Sequence, residues 1–490
     1  MKITLHRIFF IVLFLGLLIM TLRPIADPDF WWHLRTGQLL VQTRSIPHAD
    51  PFSFTKVGKK WIAHEWLSEV IIYSLFRLGG YDLLIFTFSL IITGAFFLAY
   101  IRCTSQWRPY VAGFVLLLGA ISTAPTWGVR PQMISLLLFS LFLFLLERFR
   151  QDGKIRFLFP LPLIMIIWVN LHAGYFLGIA LLGIYVVGGF IEMLLIELHV
   201  GEIPINILNL KSLLTLFGCL CVCAVASLIN PNGFHILIYP FQTLTSHAMH
   251  KFIQEWFSTD FHQLMWQPFA FFLLGLIAVG MLAKKSIKPT NILLVFISGY
   301  AALFSMRSIP LFIVTAIPVF AEQLGSLVKI APSTKPLPRL PQLAGCLLLV
   351  CTIIFTGLCF VQTLRQQNSI ENDNFPKAAT DWLLGEKTQG KLFNSYGWGG
   401  YIIWRMYPDV RVYIDGRADV YGDEFIFEYL SIYRAEPGWE DKLKNRAIQM
   451  VLIESSSQLA NMLRRTPPWR IVYEDKLSIL FENVTTRTIY

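Results

Sequence analysis

The stretch Asp27-Pro28-Asp29-Phe30-Trp31-Trp32-His33-Leu34-Arg35 directly follows the first long apolar run of the 490-residue chain. It places two carboxylates, a tryptophan pair, a histidine and an arginine at the expected edge of a membrane span. Tryptophan suits a bilayer interface because its ring is apolar and its N–H is polar. Two aspartates at that depth are costly unless they face water or have a chemical role. The stretch therefore predicts a chemical site at the membrane surface.

The composition of the whole chain is that of a polytopic membrane protein. Hydrophobic residues make up 55% of the chain and charged residues 15%, against roughly 25% charged residues in soluble domains. Apolar runs of about 17–25 residues recur along the sequence and predict about eleven membrane-spanning helices. Their expected positions are 8–22, 82–101, 109–124, 132–147, 157–171, 175–197, 212–229, 267–283, 290–305, 309–325 and 342–363.

The charge distribution predicts an orientation rather than a nucleic-acid partner. The net charge is +10, but its basic residues lie in short loops between apolar runs. Their concentration in alternate loops favours a cytoplasmic N-terminus, and an odd number of spans then places the C-terminus outside. The first run has no small-residue cleavage site before Arg23, so we interpret it as an uncleaved span. We expect a multi-pass protein of the cell membrane, the plasma or inner membrane.

Two domains are expected. Residues 1–365 would form a transmembrane domain with a long first outside loop at 23–81, and residues 366–490 a soluble extracytoplasmic α/β domain. In the loop, apolar residues from 62 to 78 recur at helical spacing and predict an amphipathic helix. In the C-terminal domain the pattern predicts a helix at 375–386 and strands at 411–414, 450–453, 470–473 and 478–481.

The acidic residues of the first loop are the leading candidates for chemistry. Asp27 and Asp29 could deprotonate an acceptor or bind a divalent metal ion. The alternative is a helix N-cap, for which Asp before Phe-Trp-Trp is well suited. His64 and Glu65 could supply metal ligands or an acid/base pair, or could simply begin a solvated helix.

Several cationic or ionisable side chains are candidates for binding phosphate or substrate. Arg35 suits phosphate oxygens because its planar guanidinium forms two parallel hydrogen bonds, and His33 lies two residues before it. Arg130, His172 and Arg307 fall at outside ends of spans. Arginine there opposes the usual charge bias, so a lipid phosphate is an obvious partner. Interfacial anchoring or snorkelling is the alternative.

The densest polar stretch of the C-terminal domain contains Asp415, Arg417 and Asp419. Asp-Gly-Arg after a strand is a natural turn, and contact with a sugar or an anion is the alternative. Walker, Rossmann and serine-elbow patterns do not occur in the sequence, which disfavours nucleotide-driven chemistry.

The order of features resembles the GT-C superfamily of membrane glycosyltransferases: a first span, a long acidic outside loop, many further spans and an outside domain. The closest resemblance is to the RgtA/B/C/D-like group, within a largely uncharacterised bacterial branch. The phrases that carry it are Asp27-Pro28-Asp29-Phe30-Trp31-Trp32-His33-Leu34, Trp61-Ile62-Ala63-His64-Glu65-Trp66-Leu67, Arg130-Pro131-Gln132 and Ile414-Asp415-Gly416-Arg417.

The resemblance implies a fold, a reaction and partners. In that superfamily an acidic residue of the first outside loop is a base or metal ligand, sugar arrives on a polyprenyl phosphate, and transfer usually inverts the anomeric centre. The acidic role would fall on Asp27 or Asp29, and Pro28 between them leaves open which one acts. Phosphate contacts would fall among Arg35, Arg130 and Arg307. The expected cofactor is a divalent cation, Mg²⁺ or Mn²⁺, if any.

The expected partners are a polyprenyl-phosphate sugar lipid, membrane lipids and a glycan, lipid or protein acceptor of the cell envelope. Two other functions are left open by the sequence. A transporter or flippase would place ionisable groups inside the membrane and repeat its two halves; Glu192 is one of few acidic residues inside an expected span, and no halves repeat. A non-catalytic envelope assembly protein would use the C-terminal domain to bind a partner.

Overall fold

The computed structural model describes residues 5–104, 109–199, 208–328, 339–386 and 390–485. The chain divides into two compact units. The membrane unit takes its residues from Met1–Arg23, Ile85–Pro240 and Gln254–Thr363, and the sheet unit from Pro24–Leu84, Phe241–Ile253 and Leu364–Tyr490.

Helices dominate both units. The α-helices, numbered in chain order, are α1 Leu5–Thr21, α2 Phe30–Thr43, α3 Trp66–Thr104, α4 Pro109–Thr123, α5 Pro131–Asp152, α6 Pro160–Leu171, α7 Phe176–Glu197, α8 Leu210–Ala226, α9 His235–Leu244, α10 His247–Phe252, α11 Gln267–Leu282, α12 Pro289–Phe304, α13 Ile309–Leu327, α14 Arg339–Asn374, α15 Lys377–Gly385, α16 Gly399–Met406, α17 Ala418–Tyr421, α18 Asp423–Tyr433, α19 Trp439–Asn445 and α20 Gln458–Leu463. Short 3₁₀ turns occupy Ala124–Thr126, Ile155–Phe157, Ala173–Tyr175, Gln254–Trp256, Leu264–Trp266, Met306–Ser308 and Tyr396–Trp398.

The predicted membrane spans are confirmed as apolar helices. Among the described residues, seven helices are long and apolar enough to cross a membrane. They are Trp66–Cys103, Pro109–Thr126, Pro131–Asp152, Ala173–Glu197, Leu264–Leu282, Met306–Leu327 and Pro341–Asn374. Four shorter apolar helices, Leu5–Thr21, Ile155–Leu171, Leu210–Ala226 and Pro289–Phe304, coincide with the other predicted spans. Proline at the first turn of several helices fits there because its missing N–H has no helical partner to lose.

Helix α3 contains a break that separates two kinds of sequence. Gly79 and Gly80 have non-helical backbone angles, and Gly80 has φ +60°, a conformation that glycine adopts without a Cβ clash. The part from Trp66 up to the break is the predicted amphipathic helix, which begins four residues later than the apolar spacing suggests. His64 and Glu65 therefore lie just before the helix rather than inside it.

A four-stranded sheet forms part of the sheet unit. Its order is β1-β2-β4-β3, with β1 Leu392–Asn394, β2 Met450–Glu454, β3 Trp469–Glu474 and β4 Ser478–Asn483. Strand β1 runs parallel to β2, and the other two pairs are antiparallel. The three strands predicted beyond residue 450 are confirmed, and the helix predicted at 375–386 corresponds to α15.

The strand predicted at 411–414 is wrong. Val412 makes only isolated bridges, to Ser53 and to Leu392. The Asn394 side chain instead accepts from the N–H of Tyr413 at 2.8 Å and donates to the carbonyl of Ile414 at 2.8 Å. One amide side chain thus takes the place of a neighbouring strand, because buried backbone groups require partners from some source.

The loop predicted at 23–81 folds with the C-terminal chain. Residues 24–84 share the sheet unit with residues 364–490. In its core Trp31 packs edge-on against Phe375 and Tyr401, at centroid distances of 5.4 and 4.9 Å. The division into a transmembrane domain at 1–365 and a soluble domain at 366–490 stays a prediction.

Candidate active site

The two leading aspartates lie at the start of α2, in the sheet unit. Asp29 occupies the N-cap position but makes no capping hydrogen bond. Its Oδ1 instead accepts from the indole Nε1–H of Trp32 at 3.1 Å, while Asp27 Oδ1 accepts from the backbone N–H of Asp29 at 3.0 Å. Asp29 is half-buried. The capping interpretation does not describe Asp29, whose carboxylate is held by a side chain.

The C-terminal chain approaches this carboxylate at Gly416. A Cβ built on Gly416 would overlap Asp29 Oδ1, and it would lie 2.8 Å from Asp29 Cγ and 3.2 Å from Trp32 Nε1. A Cβ on Gly400 would lie 2.7 Å from the carbonyl oxygen of Pro28. Two glycines thus let the backbone of the C-terminal chain lie directly against the first turn of α2.

Asp415 and Arg417 form a buried ionic network with the first loop. Arg417 donates from Nε to Asp415 Oδ1 at 2.8 Å and from Nη2 to Asp415 Oδ2 at 2.7 Å, and Nη2 lies 2.8 Å from Asp50 Oδ1. The Arg417 side chain is 1% exposed, and its guanidinium lies over the rings of Phe52 and Trp61. A turn therefore explains the backbone of Asp-Gly-Arg, but it does not explain the buried ion pairs that the Asp415 and Arg417 side chains form.

The charges of this network are mutually stabilised. Burial alone would lower the pKa of Arg417, but Asp415 and then Asp50 raise it well above its usual value. Burial, followed by the nearby Asp415, raises the pKa of Tyr421, so its hydroxyl stays protonated and donates to Asp415 Oδ2 at 2.7 Å. One arginine thus balances two carboxylates in an environment that does not tolerate an unpaired charge.

Histidines and glutamates from the end of the first loop form a second cluster in the same unit. His33 Nδ1 lies 3.4 Å from Glu69 Oε1 and 3.7 Å from Glu65 Oε2, and His64 Nε2 lies 3.5 Å from Glu65 Oε1. The His33 ring also lies on the Trp32 ring, with centroids 3.7 Å apart. The predicted residues His33, His64 and Glu65 are thus brought together next to the start of α2.

Asp419 is electrostatically linked to this cluster. Burial would lower the pKa of His64, but the charge and hydrogen bond of Glu65, together with the charge of Asp419, raise that pKa overall. Burial raises the pKa of Asp419, opposed by the charges of His64 and Arg417. The cluster therefore holds groups whose proton affinities are shifted from their ordinary values, which is common where protons are moved.

Arg35 does not present its guanidinium to this cluster. It donates from Nη1 to Gln38 Oε1 at 2.7 Å and from Nη2 to the Tyr407 carbonyl at 2.5 Å, and it lies over the Tyr407 ring. Its hydrogen bonds therefore tie α2 to the C-terminal chain. This geometry favours a structural role over the predicted phosphate contact.

Two of the predicted phosphate ligands share one carboxylate in the membrane unit. Arg130 forms an ion pair with Glu255, whose side chain is 37% exposed, and Arg307 lies over the ring of the adjacent Trp256. Burial would raise the pKa of Glu255, but Arg130 and then Arg307 lower it. The two arginines and Glu255 form what we call the arginine pair site.

His172 has a structural environment in the same unit. Its Nδ1 lies 2.8 Å from Ser135 Oγ and accepts from the backbone N–H of Gly174 at 2.9 Å. Ser135 Oγ in turn accepts from the indole N–H of Trp168 at 2.7 Å. Because Nδ1 accepts a backbone N–H, the proton of a neutral ring lies on Nε2. These bonds fix the turn after α6.

The described residues contain no group of three or more His, Cys, Asp or Glu side chains arranged to hold a metal ion. Asp27 and Asp29 supply carboxylate oxygens, and Mg²⁺ often uses only one or two carboxylates together with substrate phosphates. Their chemistry therefore fits a hard divalent cation.

Sequence reasoning assigned no role to Asp50, Glu69, Tyr421 or Glu255. Asp50 carried a usable signal, since Asp-Pro-Phe-Ser is typical of a turn in which the carboxylate binds the following N–H groups. Asp50 does accept from the N–H of Phe52 at 3.0 Å and of Ser53 at 3.2 Å. Its pairing with Arg417 depends on a tertiary contact that no local pattern encodes.

No protein-family model and no curated protein matches the chain by sequence. Solved structures do resemble it. ArnT from Cupriavidus metallidurans, solved bound to undecaprenyl phosphate, superposes with a TM-score of 0.54 at 13% identity over 98% of each chain. The archaeal oligosaccharyltransferase AglB from Archaeoglobus fulgidus, solved with an inhibitory peptide and a dolichol-phosphate, gives a TM-score of 0.52 at 11% identity, covering 91% of this chain and 69% of AglB.

Both neighbours belong to the GT-C superfamily of membrane glycosyltransferases. The chain therefore has the GT-C fold, a multi-pass helical membrane domain with a small C-terminal sheet, as the order of sequence features predicts. Identities of this size show the fold alone, so the RgtA/B/C/D-like resemblance stays a prediction.

Proposed function

We propose that this protein is a membrane glycosyltransferase that transfers a sugar from a polyprenyl-phosphate-linked donor to an extracytoplasmic acceptor. The observation that carries the proposal is the state of Asp29 within a GT-C fold. Its carboxylate does not cap α2, is half-buried, and is oriented by the Trp32 indole N–H. A carboxylate held in this way is suited to general-base catalysis, because its orientation is fixed before substrate binds.

In the proposed reaction, Asp29 removes the proton of an acceptor hydroxyl or amine. The acceptor atom attacks the anomeric carbon, the bond from that carbon to the phosphate oxygen breaks, and polyprenyl phosphate leaves with the bonding electrons. Attack opposite the leaving group inverts the anomeric centre. Asp27 supports the arrangement by accepting the Asp29 backbone N–H, and Asp27 itself is the alternative base.

The lipid phosphate would bind the arginine pair site. Arginine binds phosphate oxygens through paired hydrogen bonds, and Arg130 and Arg307 already attract a common carboxylate. The polyprenyl phosphates in the ArnT and AglB structures support this class of donor. The contacts of Arg35 and His172 argue against direct roles for them in phosphate binding.

The second cluster would support the base or bind the acceptor. His64 and Glu65 lie in electrostatic contact with Asp419, and this group could take up the proton released on transfer. His33 is 3% exposed, which favours orientation of its neighbours over contact with substrate. Asp27 and Asp29 are the residues that would hold a divalent cation, Mg²⁺ or Mn²⁺, which would supply positive charge at the start of α2.

The proposed location is the cell membrane, with the sheet unit on the extracytoplasmic side. This follows from the charge bias of the short loops and from the class of donor, since the polyprenyl carrier would present its sugar there.

The experiment is transfer of labelled sugar in proteoliposomes with a panel of polyprenyl-phosphate donors. We expect Asp29→Asn to lose transfer by a factor of about 10²–10⁴, with unchanged thermal unfolding. Asp409→Asn is the matched control, because Asp409 is an exposed aspartate of the same unit. Loss on Asp27→Asn alone would assign the base to Asp27.

Transfer that survives both substitutions would refute the proposed chemistry. Solute uptake by vesicles carrying both variants would favour a transporter. The structure does not favour that alternative, because Glu192 accepts hydrogen bonds from Thr290 and lies 4.0 Å from Arg150, an internal pairing. Rescue of an envelope phenotype by both inactive variants would favour an assembly role.

A further inference from the structure

The turn Asp415-Gly416-Arg417 lies against the proposed base, although it is separated from it by most of the chain. The space that a side chain would occupy at Gly416 is filled by the Asp29 carboxylate. Tyr396 donates its hydroxyl to the Gly416 carbonyl at 3.2 Å. The turn is therefore contacted by both Asp29 and Tyr396.

The turn itself has little freedom to move. Arg417 is fixed by two hydrogen bonds to Asp415 and an ion pair to Asp50, and its backbone N–H donates to Asp415 Oδ1 at 3.0 Å. Displacing the turn would disturb a buried arginine that balances two carboxylates, which is costly. A clash at Gly416 would therefore be relieved by rotation of the Asp29 side chain.

Rotation of Asp29 would break its hydrogen bond with the Trp32 indole. The indole N–H is 3.1 Å from Asp29 Oδ1, and the Cβ of any residue at 416 would also approach that nitrogen. The close approach of Gly416 and the hydrogen bond from Trp32 together restrict the orientation of the carboxylate.

We infer that the Asp415-Gly416-Arg417 turn is a positioning element for the Asp29 carboxylate, with Gly416 as the residue that sets its orientation. The expected effect on transfer rests on the proposed function. The contact between Gly416 and Asp29 does not depend on it. The C-terminal chain would thus complete the active site rather than only bind acceptor.

The kinetic test is Gly416→Ala in the proteoliposome transfer assay. We expect kcat to fall at least tenfold, since misplacement of a catalytic group by about 1 Å can cost on the order of 10²-fold, and the KM for the lipid donor to stay within about twofold. Gly397→Ala is the matched control, because a Cβ there meets nothing within 4 Å. An unchanged kcat for Gly416→Ala would overturn the inference.

A double-mutant cycle separates positioning from general damage. Trp32→Phe removes the indole donor, so Gly416→Ala should add little to its loss of kcat if both act on the Asp29 orientation. Fully multiplicative losses would show that Gly416→Ala acts elsewhere and would overturn the inference.

A stability cycle tests the geometry even if no donor supports transfer. Gly416→Ala should lower the melting temperature of the wild-type protein in detergent, and should lower it much less in an Asp29→Ala background, where the space is free. Equal losses in both backgrounds would overturn the inference. A third outcome is a stability loss that depends on Asp29 while neither the wild type nor any variant transfers sugar. That result would support the positioning geometry and would refute only the proposed function.

Discussion

Arginines meet carboxylates in both units, but in opposite settings. In the membrane unit, Arg130 and Arg307 act on the single carboxylate of Glu255, which is 37% exposed. In the sheet unit, Arg417 is 1% exposed and serves Asp415 and Asp50. A half-buried pairing can be exchanged for a ligand anion at smaller cost than a fully buried one, which is part of the framework. The number of ion pairs is therefore a poorer guide to function than their access to solvent.

The largest effect expected is on folding, from Arg417→Met. This substitution leaves Asp415 and Asp50 buried without their cation, which should cost about 3–5 kcal/mol of unfolding free energy. The control is Arg470→Met, because Arg470 is 52% exposed in its pair with Glu482 and should contribute less than about 1 kcal/mol. Denaturant unfolding in detergent measures both. Equal losses would remove the distinction between framework and exchangeable pairs.

The next effect is on donor binding, from Arg130→Met and Arg307→Met. If the arginine pair site binds the lipid phosphate, each variant should raise the donor KM roughly 10-fold or more, as expected for one lost charge-assisted bond. The melting temperature should change little. Transfer assays over a donor titration give the KM, with Arg470→Met again as control. A large loss of stability with unchanged KM would assign these arginines to the framework.

A smaller and opposite effect is expected from Glu255→Gln. Because the arginines lower the pKa of Glu255, it is ionised at neutral pH and competes with a phosphate for them. The Glu255→Gln variant should therefore bind polyprenyl phosphate a fewfold more tightly than the wild-type protein. Titration of the lipid into protein in nanodiscs measures this affinity. Weaker binding would mean that Glu255 orients the arginines instead. Any stability that ionised Glu255 contributes is present above its unfolded pKa and is lost as the pH falls through its lower folded value.

The smallest effect concerns the pH dependence of the second cluster. The pKa of His64 is raised by Glu65 despite burial. Its contribution to stability is therefore fully present below about pH 6.5, the unfolded value, and is lost as the pH rises through the higher folded value. His64→Gln should remove this slope. Unfolding measured at several pH values tests it, and an unchanged slope would contradict the pairing.

The comparison also explains what the sequence could predict. Membrane helices depend on local hydropathy. Each of the eleven predicted apolar runs therefore coincides with an apolar helix of the structure. Strands with continuous apolar patterns, such as β2 and β4, were found for the same reason. The strand expected at 411–414 was wrong because the Asn394 side chain bonds the backbone of Tyr413 and Ile414, while the backbone of Val412 bonds to that of Phe52 and Phe54.

The sequence pointed to candidate residues but not to their grouping. The sequence named His33, His64 and Glu65 as separate candidates in the first loop, and the structure brings them together. What it could not supply were contacts between distant segments: Asp50 with Arg417, or Asp29 with Gly416. The sequence pattern around Gly416 does not show that the Asp29 carboxylate occupies the space next to its Cα.

The hydrogen bond from Arg35 to the Tyr407 carbonyl joins residues 372 positions apart, which has a consequence for biogenesis. At about 5–20 residues per second, a ribosome needs roughly 20–75 s to make the intervening chain. During that interval α2 has emerged without Tyr401 and Phe375, the partners of Trp31. A nascent chain in this state exposes an aromatic surface, so its maturation should depend on a chaperone or on shielding by lipid until synthesis ends. Chains truncated before residue 392 should be degraded rapidly in cells.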